Sequence, residues 1–440
     1  MTTPLTPNLN ASESGNFAKS LLRFITAGSV DDGKSSLIGR LLYDTQSIHS
    51  DQITAIQQTS AKRGLSELDL SLLTDGLQAE REQGITIDIA YRYFNTEQRK
   101  FIIGDAPGHE QYTRNMVTAA STADLAILLI DARKGVVTQT RRHTYLAHLL
   151  GVNEIVLAVN KMDLVNWCQD IYQTIRDDYL AFAASLGIEQ VCTLPICALK
   201  GDNIVHASRS MNWYDGPTLI DHLNRVSAHR DRSENPLRFP VQRVARVKLG
   251  NGASIENDDL NTEFRGYQGT LASGTLVVGD EILALPSGLA AKIKSVKLAN
   301  QSLPLATPDL SVVVELDKEI DISRGDMLVA KNDLPETARE IHANICWLSE
   351  EPLDTRRKYL IKHTTRMVRC LFSDLQYRVD VNTLQKHLKP SDIVMNDIVR
   401  AKLKLQQPLF IDRYAENRVT GSFIIIDETT HATVAAGVIA

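Results

Sequence analysis

From Arg23 onward the chain alternates short apolar runs with stretches in which apolar residues recur every three or four positions. The run "RFITAG" predicts a buried strand, and "KSSLIGRLLYDT" after it places Leu37, Leu41 and Leu42 at helical spacing. "IAYRYFN" and "RKFIIGD" predict a hairpin turning at Asn95 to Glu97. "LAILLID", "EIVLAVN" and "VCTLPICA" are continuous apolar runs separated by helical patterns, as expected of parallel strands covered on both faces. Strands alternating with helices specify a βαβ sheet, and such sheets bind ligands where their strands end.

After "SENPLRFPVQRV" helical periodicity fades. Short alternating runs between glycine turns take over, as in "FRGYQGTLASGTLVVGDEILALPSGLAAKIKSV", which predicts a β-barrel. A second strand-rich stretch starts near Ile341 and runs through "YLIKHTTRMVRCLF" to "GSFIIIDETTHATVAAGVIA", enough for a second barrel. The expected division is an N-terminal arm at 1–16, an α/β P-loop domain at 17–235, and all-β barrels at 236–335 and 336–440. Arg324-Gly325-Asp326 falls in a barrel turn and carries no adhesion reading.

Composition narrows the function classes. The 440 residues carry a net charge of −5 with no block of like charge, so attraction to nucleic acid or an anionic membrane is not expected. Five scattered cysteines, Cys168, Cys192, Cys197, Cys346 and Cys370, form no Cys-x-x-Cys pair and indicate neither a disulfide framework nor a zinc site. The N-terminus is polar, without an apolar leader segment, and is expected to be a mobile arm. "LAILLID" is too short to span a bilayer, so a cytoplasmic chain is expected.

Chemistry enters with Gly28-x-x-x-x-Gly33-Lys34-Ser35, directly after the first strand and opening the first helix. In such a loop, here Gly28, Ser29, Val30, Asp31, Asp32, Gly33, Lys34, Ser35 and Ser36, backbone N–H groups wrap a phosphate. Lys34 reaches the β and γ oxygens and the Ser35 hydroxyl ligates Mg²⁺. "DAPGH", Asp105 to His109, follows the strand "FIIG". Asp105 there can hold Mg²⁺ through its water shell, with Ala106 and Pro107 leading to Gly108, whose N–H can bond a γ-phosphate. His109 is then a candidate to orient the attacking water. Thr86, in "GITID", is either a metal-completing hydroxyl or a strand-opening threonine.

"NKMD", Asn160 to Asp163, selects the base. A carboxylate accepts from guanine N1–H and the 2-amino group but finds no such donor pair on adenine, so Asp163 specifies guanine. Asn160 either bonds the other purine edge or ties loops together, the Lys161 stem can lie over the ring, and Met162 sits between. In "CALKGDN" the Ala198 N–H can meet the guanine carbonyl, flanked by Cys197 and Leu199. No second phosphate loop and no Ser-Gly-Gly-x-Asp loop of pyrophosphate-releasing enzymes is present, which leaves one nucleotide site.

Five motifs in this order, followed by two barrels, resemble the translation-factor GTPases of the elongation factor Tu class over essentially the whole chain from Asn16. The strings "GSVDDGKSSLIGRLLYDT", "DGLQAEREQGITIDIAYRYF", "GDAPGHEQYTRNMVTAAS" and "LIDARKGVVTQTRRH" are similar to one branch, the large GTP-hydrolysing subunit of bacterial sulfate adenylyltransferase. The resemblance implies GTP and Mg²⁺ as ligands, with Ser35, Thr86 and Asp105 at the metal and Lys34, Gly108 and His109 in hydrolysis. It implies Asn160, Lys161, Met162, Asp163, Cys197, Ala198 and Leu199 around guanine.

It further implies that adenosine 5′-phosphosulfate forms on a small ATP-pyrophosphatase-type partner subunit while GTP hydrolysis here drives the reaction. Adenylylsulfate kinase, fused in some relatives, would act in trans, because no second phosphate loop occurs before Ala440. Neither nucleic acid nor membrane is an implied partner. Asp32 stands where the wider class often has histidine, and Cys197 where it often has serine. The competing expectation is a translation-type GTPase that delivers tRNA or assists release at the ribosome.

Overall fold

A computed structural model describes residues 20–48, 50–62, 68–73, 89–106, 113–152, 154–227, 232–248, 263–299, 301–380 and 383–440. The N-terminal arm, Thr86, Pro107, Gly108 and His109 lie outside the described residues.

The first strand β1 (Ser20–Gly28) begins three residues before the apolar run that predicts it. It lies between β3 (Arg99–Asp105) and β4 (Leu125–Asp131), parallel to both. β2 (Ala90–Asn95) turns back on β3 as the antiparallel edge, and β5 (Glu154–Asn160) and β6 (Val191–Pro195) complete the order β2-β3-β1-β4-β5-β6.

Alternate side chains of this sheet feed two cores. Leu22, Phe24, Leu125, Ile127 and Leu129 face the helices α1 (Lys34–Asp44) and, near the far edge, Leu219 and Leu223 of the helix Leu219–Arg225. Ile25, Ala126, Leu128 and Ile130 face Met116 and Ala119, Leu146, and Tyr172, Ile175 and Tyr179 from three helices on the opposite side. Every residue of β4 is buried, which is why it reads as an unbroken apolar run. Each such large side chain, fully buried, contributes about 1.5–3 kcal/mol.

Among the described residues, eight strands between Arg238 and Ala330 form the sheet of the first barrel, and a bridge from Arg238, in the first strand of its ladder, to Ser273, just after the strand Glu263–Thr270, closes it and leaves Arg243–Lys248 beyond the closure. Seven strands from Glu336 to Ile439 form the second. It closes because Tyr359–His363 pairs with both Arg366–Val379 and Ser422–Asp427.

The second barrel is fastened to the α/β domain by two side chains that reach backbone carbonyls. Tyr414 Oη donates to Leu150 O at 2.7 Å. Arg418 donates to Ala123 O at 3.1 Å and also to Gly151 O. Cys346, Leu348, Ile398 and Val438 extend the α/β core across this seam. The two barrels are joined by an ion pair: Arg238, 1% exposed, donates from Nε and Nη2 to Asp412 at 2.9 and 2.8 Å. Thr420 Oγ1 donates to the same carboxylate at 2.6 Å.

Removing one partner of a buried pair leaves the other charge uncompensated, so Asp412→Ala should cost about 3–5 kcal/mol. Urea denaturation of the two proteins measures this. A loss below about 1 kcal/mol would show that the Leu237 and Asp333 carbonyls, which Arg238 Nη1 also reaches at 3.0 and 2.8 Å, suffice for the guanidinium.

Candidate nucleotide site

The predicted residues that are described meet at the carboxyl ends of β1, β3, β5 and β6. β1 ends at Gly28, where a Cβ would lie 2.9 Å from Leu129 O on the neighbouring strand. The loop then turns through Asp31 (φ 68) and Gly33 (φ 94) into α1. A side chain at Gly33 would meet Asn160 Nδ2 at 2.4 Å, so glycine is required by backbone conformation and by space together.

α1 has no side-chain N-cap bond, and no acidic residue stands in its first turn. Its leading N–H groups therefore face the loop as an uncapped positive helix end, the arrangement that binds phosphate. Lys34 is buried and its Nζ donates to Gly28 O at 3.0 Å and Ser29 O at 2.9 Å. Burial depresses its affinity for the proton, opposed by the carboxylates of Asp105, Asp32 and Asp31.

Asp32 is turned inward, 2% exposed, and its Oδ2 accepts the Ser29 N–H at 2.6 Å. Burial raises its pKa, and the Ser29 bond opposes this. Val30, Ser35 and Ser36 stand half-buried along the same loop and first turn. Asp105, 2% exposed at the end of β3, accepts from Thr26 Oγ1 at 3.2 Å, and the Ala106 N–H donates to Thr26 O at 3.2 Å. Lys34, Ser35 and Asp105 thus come from adjoining strand ends.

On the base side Asn160, 2% exposed, ties loops together: Nδ2 donates to Asp32 O at 2.8 Å and Oδ1 accepts the Ala198 N–H at 2.9 Å. The alternative use of Asn160 on the purine edge is not what its bonds do here, and the Ala198 N–H expected at the guanine carbonyl is engaged by it. Lys161 (φ 62) donates to Asp31 O. Met162 is buried, and its N–H donates to Ile196 O at 3.3 Å.

Asp163 Oδ1 accepts from Cys197 Sγ at 3.2 Å, whereas Oδ2 accepts nothing from the described residues. Cys197 is 1% exposed, and burial pushes its thiol up to about 12, so it is no nucleophile. Leu199 is exposed. Arg40 of α1 donates to Ala198 O at 3.3 Å and to Leu199 O, which holds this loop against α1.

Two residues here carry no motif. Asp131, 1% exposed at the end of β4, accepts from Arg133 N, Nε and Nη2 at 2.9, 3.0 and 2.6 Å and pairs with Lys161 Nζ at 3.1 Å. Burial alone would raise its pKa, but Arg133 and Lys161 hold the carboxyl well below the usual range. Burial pushes His143 down to about 3, and the charges of Lys34 and Arg142 act in the same direction. Its Nδ1 has no hydrogen-bond partner among the described residues. The sequence signals for both are faint: a carboxylate ending an apolar strand, and a histidine on a helix.

Residues 19–232 match the family described as the elongation factor Tu GTP binding domain, and residues 340–440 match the GTP-eEF1A C-terminal domain-like family. A protein of Cellvibrio japonicus named sulfate adenylyltransferase subunit 1 is 48% identical over 434 residues, 98% of this chain and 89% of the relative. The chain belongs to the sulfate adenylyltransferase subunit 1 family. Its member from Aliarcobacter butzleri is 51% identical over 96% of this chain and 87% of that one. A Mycobacterium tuberculosis protein named bifunctional enzyme CysN/CysC is 50% identical over 95% of this chain and 67% of its own length.

Family membership implies that the chain binds guanine nucleotide. Asp131 then fixes Lys161 between the base side and the phosphate loop. Asp131→Asn removes the ion pair, and the loss of a charge-assisted bond of about 1.5–3 kcal/mol should raise the dissociation constants of GTP and GDP together by about tenfold or more. Fluorescent-nucleotide titration reads this. Unchanged affinities would make Asp131 a support for Arg133 alone.

Proposed function

We propose that this chain hydrolyses GTP to GDP and phosphate and thereby drives a second subunit to transfer the adenylyl group of ATP to sulfate. The products of that transfer are adenosine 5′-phosphosulfate and pyrophosphate. The observation that carries the reading is the half-buried Asp163 carboxylate, held by Cys197 through one oxygen and open at the other, beside an uncapped helix end with a buried lysine. That combination recognises a guanine at one end and phosphates at the other. Its family relatives bear the name of the adenylyl-transferring enzyme and the word subunit.

Each residue has a task. Asp163 accepts from guanine N1–H and the 2-amino group. Lys34 exchanges its bonds to Gly28 and Ser29 carbonyls for phosphate oxygens, which costs little because the ammonium is already desolvated. Gly33 lets the backbone approach the phosphates closely.

Ser35, whose hydroxyl makes no hydrogen bond among the described residues, and the buried Asp105 carboxylate fit a hard divalent cation by donor chemistry. Together with Thr86 they would hold Mg²⁺, which when bound neutralises charge on the β and γ oxygens. Gly108 bonds the γ-phosphate and His109 orients the attacking water in this reading. The partner is a small ATP-pyrophosphatase-type subunit, in a cytoplasmic heterodimer or larger assembly. Among the described residues no helix is long and apolar enough to cross a membrane.

The decisive measurement is product yield from the purified pair of subunits. Adenosine 5′-phosphosulfate formed from ATP and sulfate should rise when GTP is present; the same yield without GTP rules out energetic coupling. Asp163→Asn tests the base site separately. Its amide donates where the carboxylate accepted, so preference should pass from GTP to xanthosine triphosphate, whose 2-position is a carbonyl. Retained GTP preference would take Asp163 out of the base site.

A further inference from the structure

The last strand of the first barrel's ladder, Arg243–Lys248, has a single ladder neighbour among the described residues, the strand Glu263–Thr270. Its register sets Arg246 directly opposite Arg265 and Arg243 opposite Gln268. Like charges facing each other across a ladder repel. A turn on the other side adds Arg324, and together these residues line an open cleft of about 1020 Å³ in which, among the described residues, Asp321 is the one acidic side chain.

Among the described residues, neutralisation of these arginines is slight. Arg265, 12% exposed, stands with its guanidinium 5.5 Å from the Tyr267 ring centroid and 3.8 Å from Glu319, itself 72% exposed. Its buried Nε has no hydrogen-bond partner among the described residues. Arg243, Arg246 and Arg324 are exposed and have no ion-pair partner among the described residues. The turn that presents Arg324 is fixed in place: Ser323 N–H donates to Asp326 Oδ2 at 2.8 Å, Gly325 N–H to Val241 O at 3.0 Å, and Arg366 of the second barrel pairs with Asp326 at 3.6 Å.

We propose that this arginine-lined edge is where an extended acidic segment of the second subunit docks. Guanidinium forks bind carboxylates in pairs, and an open strand edge offers backbone donors and acceptors to an added strand. A charged edge that only discouraged aggregation would not need guanidinium groups converging from two strands and a turn. Among the described residues the cleft lining holds no aromatic side chain on which nucleic-acid bases could stack, and the chain as a whole is acidic. A cationic cleft on an acidic protein selects an acidic partner and speeds its association.

The proposal rests on the reading of this chain as one of two subunits. The test compares the full chain with Arg243→Glu/Arg246→Glu and with the milder Arg243→Gln/Arg246→Gln, each mixed with the small subunit, at low and high salt. Association of the wild-type pair should be fast and salt-sensitive. The glutamate variant should associate about tenfold more slowly or worse, with a flattened salt response and unchanged GTP affinity, and the glutamine variant should fall between. Equal association of wild type and glutamate variant overturns the docking site alone. A wild-type chain that forms no complex with the small subunit overturns the subunit reading and the docking site with it. Unchanged subunit association beside arginine-dependent binding of a single-stranded RNA probe reassigns the cleft to nucleic acid and overturns the proposal. Should the glutamate variant lose GTP binding through misfolding, the glutamine pair decides by the same criteria.

Discussion

The site is held in shape by one buried carboxamide. Asn160 joins the phosphate loop through Asp32 O and the last loop through the Ala198 N–H, while its own carbonyl accepts the Ala132 N–H at 2.9 Å. Loops that leave three different strands are thereby fixed to the end of β5. The tie is close enough to dictate sequence: the amide occupies the space a side chain at Gly33 would need, so tight loop and base-side strand must be built together. Each bond is an ordinary one of about 1 kcal/mol net, but breaking them would strand buried donors and acceptors at about 1–3 kcal/mol apiece. That asymmetry makes the geometry stiff.

The barrels grip the other end of the same strands. Ala123 and Gly151, whose carbonyls Arg418 holds, stand just before β4 and β5, and Leu150 follows the helix Thr138–Leu149 that connects them. That helix starts beyond the carboxyl end of β4, on the side where Asp131 and Lys161 meet, and finishes under Tyr414. Nucleotide end and barrel end therefore share β4, β5 and one helix, all buried in a single core. Close-packed interiors transmit displacement with little compliance, so this unit is a direct mechanical link between the nucleotide end and the second barrel.

Much of this was readable in the residues because the chemistry demands particular types in short runs. Gly28, Gly33 and Lys34 are contiguous with the loop they shape, and Asp163 follows Asn160 by three positions because one strand end presents both. The βαβ order and both barrels were likewise visible, since buried parallel strands and barrel strands leave different periodicities. Asp131 was not. Its role depends on burial beside Lys161, thirty positions later, and on a register that sets it against Asn160. Asp32 was named as part of the loop, but not its orientation: that its carboxylate turns in on Ser29 follows from the loop's dihedral angles and not from composition.

Charge shows the same limit more sharply. A reading that looks for blocks of like charge finds none, because Arg243, Arg246, Arg265 and Arg324 are spread over most of a domain's length. The barrel gathers them: antiparallel pairing brings Arg265 to Arg246, and a turn across the mouth brings Arg324. Net charge governs what a protein meets at distances beyond the screening length of about 8–10 Å, whereas a cleft's own charge governs the last contact. A chain that is acidic overall can therefore repel polyanions at long range and still present a cationic docking edge. Such an edge discriminates among acidic partners by shape and backbone pairing, because charge attraction alone is too unspecific to choose one.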